Sequence, residues 1–391
     1  MQWFREKGVH LIIYLDDILI MAQEERLARL HLSWTMQLLQ DLSFIINVEK
    51  SQLQPVQNIE FLGFRIDSIA TLLKLPLTKR LAIKKELRKA LSAHSISLRV
   101  LARLVGLLAS SIRAIFPGPL HYRALQRLKI LHLQKGLTYS ELIVLSHEAR
   151  TELQWWLNHM DAWNGRAIFT SVPEVVIESD ASRWGCGARC GQRETGGRWS
   201  LEELQLHINC LELLAGSFAV KTLSPSKSKC CILLKMDNIP AVRYISKLGE
   251  TRSRMLVEIA EDFWHFCLAR QISVSAEYIP GKVNKVADWN SRHLRDPSDW
   301  HLHPRIFQFL NHLWGPSKID LFAFHLNTHI PLFFSWRPDP NALCSDAFLQ
   351  DWKGDVHFAF PLFPMIPRVL LQVIWQKAEL ILITPFWKAQ S

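Results

Sequence analysis

The apolar positions of this chain change period several times, and each change predicts an element. Leu11-Ile12-Ile13 and Ile18-Leu19-Ile20 are short unbroken apolar runs that predict two buried strands, with Tyr14-Leu15-Asp16-Asp17 at the turn between them. From 24 to 42 the spacing lengthens: Leu27, Leu30, Leu32, Met36 and Leu39 recur at mixed intervals of three and four and predict a helix. Ile59-Glu60-Phe61-Leu62-Gly63-Phe64-Arg65-Ile66 returns to an apolar strand, read alone with a bulge at Gly63. Leu77, Leu81, Leu87 and Leu91 then draw a stripe on a helix with Thr78 as its N-cap, and a second helix starts near Ser97 with Leu101, Leu104, Val105 and Leu108. Pro117-Gly118-Pro119 marks a turn between helices.

Strand patterning resumes near Pro173. Val175-Val176-Ile177-Glu178-Ser179-Asp180 predicts a strand ending in acid, and the Gly-rich 184–188 and 197–200 stretches complete a three-strand meander. A helix over 201–223 carries Glu212 on its apolar face, and Cys231-Ile232-Leu233-Leu234-Lys235-Met236-Asp237 is a second strand ending in acid. Helices over 239–248 and 252–270, a strand over 274–279 and a short helix around Asp288 follow. Beyond Arg292 a polar linker leads to Ile319-Asp320-Leu321-Phe322-Ala323, a Pro-rich loop at 336–340, a helix over 366–378 and the strand 380–384, an α/β alternation.

Composition sharpens this picture in two places. The formal net charge of +10 is concentrated: residues 74–135 hold fourteen Lys or Arg and one acid, Glu86, so this block is +13 and the remainder −3. Such a block is an electrostatic footprint for a polyanion, with a solvated helical face as the plainer alternative. The seven cysteines are odd in number, lack paired zinc spacing and suit a reducing compartment as small core residues. The N-terminus has no secretory apolar region, and the apolar run 370–386 is interrupted by Gln372, Gln376, Lys377 and Glu379, so neither export nor a membrane span is expected.

The candidate chemistry is acidic. Two adjacent carboxylates between apolar runs are expensive to bury, so Asp16 and Asp17 read either as a surface turn or as a site that needs negative charge. With Tyr14-Leu15 before them and Ile18-Leu19-Ile20 after, the stretch resembles the palm signature of reverse transcriptases. That resemblance implies a Mg²⁺-binding polymerase hairpin. It also implies roles for Lys50, near the incoming nucleotide, and for Phe61 and Gly63 within a grip on the primer end. The family's additional Asp lies upstream of the hairpin, and only thirteen residues precede Tyr14, so a truncated palm unable to polymerise alone is expected. The basic helices resemble a thumb and connection that hold a duplex through its phosphates, with Lys79, Lys84, Lys85 and Arg88 as contacts. Trp155 and Trp156 read as packing residues rather than base-stacking ones.

The element order from 173 to 292 resembles the ribonuclease H fold. By that resemblance Asp180, Glu212, Asp237 and Asp288 are the catalytic metal ligands. Two Mg²⁺ ions, with Mn²⁺ as a possible substitute, require oxygen donors converging from separate elements, and no single strand supplies all four. Many members place a mobile His before the last Asp; this chain has Pro280-Gly281-Lys282-Val283-Asn284, with Lys282 as a phosphate contact. His207 reads as a hydrogen-bonded structural residue. The whole, with Leu104-Val105-Gly106-Leu107-Leu108-Ala109-Ser110, His207-Ile208-Asn209 and Thr251-Arg252-Ser253, resembles the polyprotein of DIRS-like retrotransposons. The end of the chain resembles those elements' region related to adenine methyltransferases, but Ala359-Phe360-Pro361-Leu362-Phe363 places Phe360 where a hydrogen-bond acceptor is needed, so no methyl transfer is expected.

The expected architecture is therefore multidomain, α/β and α+β: a partial palm over 1–73, a basic helical thumb and connection over 74–172, a ribonuclease H-like α/β domain over 173–292, and a linker with an incomplete, degenerate α/β segment over 293–391. The expected activity is Mg²⁺-dependent cleavage of the RNA strand of RNA–DNA hybrids inside the cell, in cytoplasm or nucleus, with primer–template nucleic acid as a further partner and no membrane. A catalytically inactive nucleic-acid-binding remnant and, given a longer product, a working reverse transcriptase are the alternatives.

Overall fold

Strands His10–Tyr14 and Asp17–Met21 pair antiparallel with Tyr14 opposite Asp17, leaving Leu15 and Asp16 as the turn. Leu15 takes φ 52°, a left-handed conformation that costs a non-glycine residue about 1–3 kcal/mol. The computed structural model describes residues 2–169, 172–224, 228–293, 301–336 and 338–386. These fall into two compact units, Met1–Thr170 and Ser171–Ser391. No helix among the described residues is long and apolar enough to cross a membrane.

The first unit corrects the expectation that the hairpin strands are buried. Ile12 is 46% exposed and Tyr14 55%, while Leu19 on the second strand is 7% exposed. The two strands pair only with each other among the described residues, and helix Glu25–Asp41 packs against the second strand, so the ribbon lacks a full sheet and is only partly covered. Strands Asn58–Phe61, Phe64–Asp67, Leu72–Lys74 and Arg166–Ala167 form an antiparallel sheet in that order. Gly63 is not a bulge: Leu62 at φ 51° and Gly63 at φ 73° form a two-residue hairpin turn, which needs left-handed residues at both positions to match the strand twist.

Helix Leu77–Ser92 begins two residues earlier than expected, and Thr78 is not its cap. Pro76 occupies the cap position at φ −58° and ψ 150° without a side-chain bond, and its rigid ring delivers Leu77 directly into helical geometry. Ser97 does cap helix Leu98–Ser111, its hydroxyl accepting the Val100 N–H. These helices, with Arg123–Gln134 and His147–His159, enclose one core in which Leu87, Leu101, Leu104, Leu108 and Trp156 are fully buried. Trp156 donates to the His121 carbonyl at 2.8 Å, and Trp155 stacks on His121 at 3.8 Å, which confirms both as packing residues. Glu152, also in this core, accepts the Ala124 and Leu125 N–H groups at the start of the third helix, where its charge meets the positive end of the helix.

The second unit is built on a five-stranded sheet. Its strands are β1 (Val175–Ala181), β2 (Gly185–Cys190), β3 (Arg193–Arg198), β4 (Cys231–Met236) and β5 (Ser273–Tyr278), in the spatial order β3-β2-β1-β4-β5. β1 to β3 form the antiparallel meander, whereas β4 runs parallel to β1 and β5 parallel to β4. The helices are α1 (Ile208–Leu223), α2 (Ile239–Ser246), α3 (Arg254–Ala269) and α4 (Lys285–Arg292). α1 starts seven residues later than the periodicity implied. His207 Nδ1 accepts the Asn209 N–H at 3.1 Å and caps the helix there, after a single 3₁₀ turn at Glu203–Gln205.

Toward the C-terminus the stretch 319–323 contributes bridges at Asp320, which pairs in parallel with Phe333 on one side and Phe358 on the other. It thereby links the parallel pairs Phe334–Ser335 with Cys344–Ser345 and Val356–Ala359 with Glu379–Leu382. Helix Ile366–Gln376 packs Val369 into the core containing Leu321, Phe334 and Trp352. Burial pushes the Asp320 carboxyl up to about 7.

Candidate active site

Parallel pairing of β1 with β4 sets the site. Ser179 lies opposite Met236, so the next residues along, Asp180 and Asp237, leave adjacent strands side by side at their carboxyl ends. α1 crosses the same sheet against β1 and β2 and brings in Glu212 from above. One oxygen from each of Asp180, Glu212 and Asp237 lies within 4.8 Å of the other two, which makes these three the group among the described residues with the geometry to hold a metal ion.

Keeping three acids this close is unfavourable without a counter-charge. Burial pushes Asp180 up to about 6 despite a 2.7 Å hydrogen bond from Ser291 Oγ, with the Asp237 and Asp288 charges adding to the rise. Glu212, 6% exposed, is pushed up to about 9 by burial and then by Asp180 and Asp237. Asp237 is also raised, again mainly by burial. Glu212 Oε2 is buried and makes no hydrogen bond. A carboxylate oxygen left unpaired in such a place costs free energy unless a cation takes it up.

Asp288 stands at the rim rather than in the group of three. Its Oδ1 accepts from both Nε and Nη2 of Arg292 at 2.7 Å, one helical turn on. Its field nevertheless reaches Asp180 and Asp237. α4 approaches the sheet closely because β2 has Gly187 there: a Cβ at this position would lie 2.1 Å from the Ala287 carbonyl and 2.5 Å from the Ser291 nitrogen. Gly281 has a similar role beside Asp237, whose Oδ2 would be 2.8 Å from an added Cβ. Lys282 is exposed in that loop.

Several residues that hold the site escaped the sequence reading. Ser182 Oγ donates to the Ser291 carbonyl at 2.6 Å and accepts from the Trp184 nitrogen at 3.0 Å, joining the β1–β2 turn to α4. Asn284, fully buried, donates to the Ser179 carbonyl at 2.9 Å and fixes the start of α4 beside Asp180. Asn238 caps α2 and donates to Asn209 Oδ1 at 3.1 Å, tying the Asp237 loop to the helix that bears Glu212. The one signal available was spacing: Ser291 follows Asp288 by three residues and Arg292 by four, the same face of a helix.

In the first unit Asp16 and Asp17 belong to no group of three metal-ligating side chains among the described residues. Lys79 Nζ sits 4.8 Å over the Phe64 ring and 3.5 Å from the Gly63 carbonyl, so the basic helix meets the Phe61–Phe64 turn. Lys84 and Arg80 are both committed to Asp161. Lys85 and Arg88 make no ion pair among the described residues, and Lys50 is exposed.

A family model described as reverse transcriptase (RNA-dependent DNA polymerase) matches residues 1–66. No curated protein sequence matches the chain. Among solved structures, the foamy viral protease–reverse transcriptase in complex with RNA/DNA hybrid is 13% identical with a TM-score of 0.35, covering 71% of this chain and 36% of that one. The foamy viral protease–reverse transcriptase in complex with dsDNA is 15% identical with a TM-score of 0.34, covering 68% and 54%. Ribonuclease H1 from the halophilic archaeon Halobacterium salinarum is 18% identical with a TM-score of 0.25, over 30% of this chain and 92% of its own. The chain spans between about a third and a half of the length of the foamy viral chains, 36%, 46% and 54% in three of them.

Proposed function

We propose that the second unit is a ribonuclease H that cuts the RNA strand of RNA–DNA hybrids with Mg²⁺, joined to a reverse-transcriptase palm segment of retrotransposon, DIRS-like, ancestry. The observation that carries this reading is the convergence of Asp180, Glu212 and Asp237 from a strand, a helix and a second strand, with Glu212 Oε2 buried and without a hydrogen bond. The donor set is all oxygen, which suits Mg²⁺ or Mn²⁺ rather than a thiophilic ion. Bound there, paired divalent cations supply an activated water and stabilise the leaving oxygen. The protein's own part is positional. Asp180, Glu212 and Asp237 would hold the cations and Asp288 would complete the set from the rim, while Ser291 orients Asp180 and Gly187 lets α4 sit close to the sheet. RNA 2′-hydroxyls mark the strand to be cut, and backbone shape rather than sequence is read.

The basic block and palm segment serve nucleic-acid contact in this reading. Lys79, Lys85 and Arg88 lie on one helix, Lys79 beside the Phe61–Phe64 turn, and in this reading they meet duplex phosphates. Lys84 has its charge held by Asp161, and Lys50 and Lys282 are exposed cations for further phosphates. Asp16 and Asp17 offer a two-carboxylate turn for Mg²⁺ with primer–template. Incubating labelled hybrid with the protein in Mg²⁺ tests the nuclease reading: the unaltered protein cleaves, and Asp180→Asn loses at least about a hundredfold in rate. Equal cleavage by both would overturn it, and salt-sensitive binding without cleavage in Mg²⁺ or Mn²⁺ would leave a binding module in its place.

A further inference from the structure

The ribonuclease reading uses four acids and leaves one prominent cation unexplained. Arg292 is the last residue of α4, and its side chain is 56% exposed. It is the cation whose charge reaches Asp180, Glu212 and Asp237 as well as Asp288, countering the upward push of burial on the acids. Its Nε and Nη2 both address the single oxygen Oδ1 of Asp288, and Nη1 makes no hydrogen bond among the described residues. A guanidinium that shares one oxygen between two donors is not in its preferred side-by-side fork.

Formal charge indicates what the free edge is for. Two divalent cations held by the four carboxylates would balance their charge and would draw Asp288 away from Arg292. The guanidinium then carries the one uncompensated charge of the cluster. It is long, solvent-accessible and anchored on a helix held to the sheet through Gly187 and Ser182, so it stays at the mouth of the site. A phosphodiester is the anion that fits: planar two-point recognition of a phosphate by arginine is a strong, charge-assisted contact, and one phosphate charge neutralises the cluster.

We propose that Arg292 is a substrate-binding residue that grips a backbone phosphate of the hybrid at the carboxylate site, using Asp288 as its partner until substrate and cations arrive. This rests on the ribonuclease reading for the identity of the substrate. Two readouts separate a phosphate contact from a merely structural support of Asp288. Calorimetric titration of the full chain with Mn²⁺ alone should show Arg292→Ala binding the cation at least as tightly as the unaltered protein, because a neighbouring positive charge has gone. Anisotropy of a labelled RNA–DNA hybrid in Ca²⁺ should show affinity reduced about ten- to a hundredfold. The slope of log affinity against log salt should become shallower by about one. Arg292→Lys should restore the slope but only part of the affinity, since the ammonium lacks the planar fork. Mn²⁺ binding that falls together with hybrid binding, or an unchanged salt slope, would overturn the proposal in favour of simple support of Asp288. If the unaltered protein binds hybrid without cutting it, the nuclease reading fails while the phosphate contact is still decided by the slope; if it binds no hybrid, both fail.

Discussion

Replacing Glu212 by Gln tests the electrostatics of the site without touching its shape. In the metal-free protein the Glu212 carboxyl is raised from 4.5 to about 9, chiefly by burial. Between those two values the folded chain holds a proton that the unfolded chain has released. Stability is therefore greatest below the unfolded value, falls as pH rises, and levels off above the folded value. Each pH unit in that window costs up to about 1.4 kcal/mol, so moving from pH 6 to pH 8 removes up to about 3 kcal/mol. For a unit of this size that is a fall in Tm of roughly 5–10 °C. Asp180, raised to about 6, acts with the same sign but mostly below this range. The assay is thermal melting at pH 6, 7 and 8 in a chelator and again in excess Mg²⁺. Glu212→Gln removes the larger titrating contribution, so its metal-free Tm should fall only by the share of Asp320, raised to about 7, chiefly between pH 6 and pH 7, and Mg²⁺ should recover the Glu212 share of the wild-type loss at pH 8. A metal-free Tm that holds or rises from pH 6 to pH 8, or a Gln variant that keeps the wild-type slope, would refute the reasoning.

Two further substitutions probe the frame. Gly187→Ala places a methyl against the Ala287 carbonyl and should push α4 outward, weakening Mn²⁺ binding and cleavage while costing at least about 1–3 kcal/mol in a melting experiment. Trp156→Ala removes the largest fully buried side chain of the helical core and its bond to His121, and should destabilise the first unit by about 3–5 kcal/mol in denaturant titration with no change in Mn²⁺ binding by the second.

Much of the site was legible because acids at strand ends are local facts. Asp180 and Asp237 each close an apolar run, and parallel neighbours that end together must bring their terminal residues together. Glu212 stood out as an acid within an apolar helical face. The hairpin misled for a related reason: six apolar residues look like buried strands, but burial belongs to whatever covers them, and here little does. The late start of α1 was hidden because a capping His is less regular a signal than Ser or Asp, whereas the helix start near Ser97 was legible and the structure adds that Ser97 caps it.

By itself, then, the sequence determined the order of strands and helices, the acids that terminate them and the concentration of positive charge, since periodicity and composition are properties of neighbouring residues. Only the tertiary structure decided which acids meet. It placed Asp180, Glu212 and Asp237 within 4.8 Å of one another, set Asp288 at the rim under Arg292, and made Gly187, Ser182, Asn284 and Ser291 part of the same site. Those residues lie up to about a hundred positions apart, as Ser182 and Ser291 do. No local pattern encodes their contact, because it arises from the close packing of one helix against one sheet.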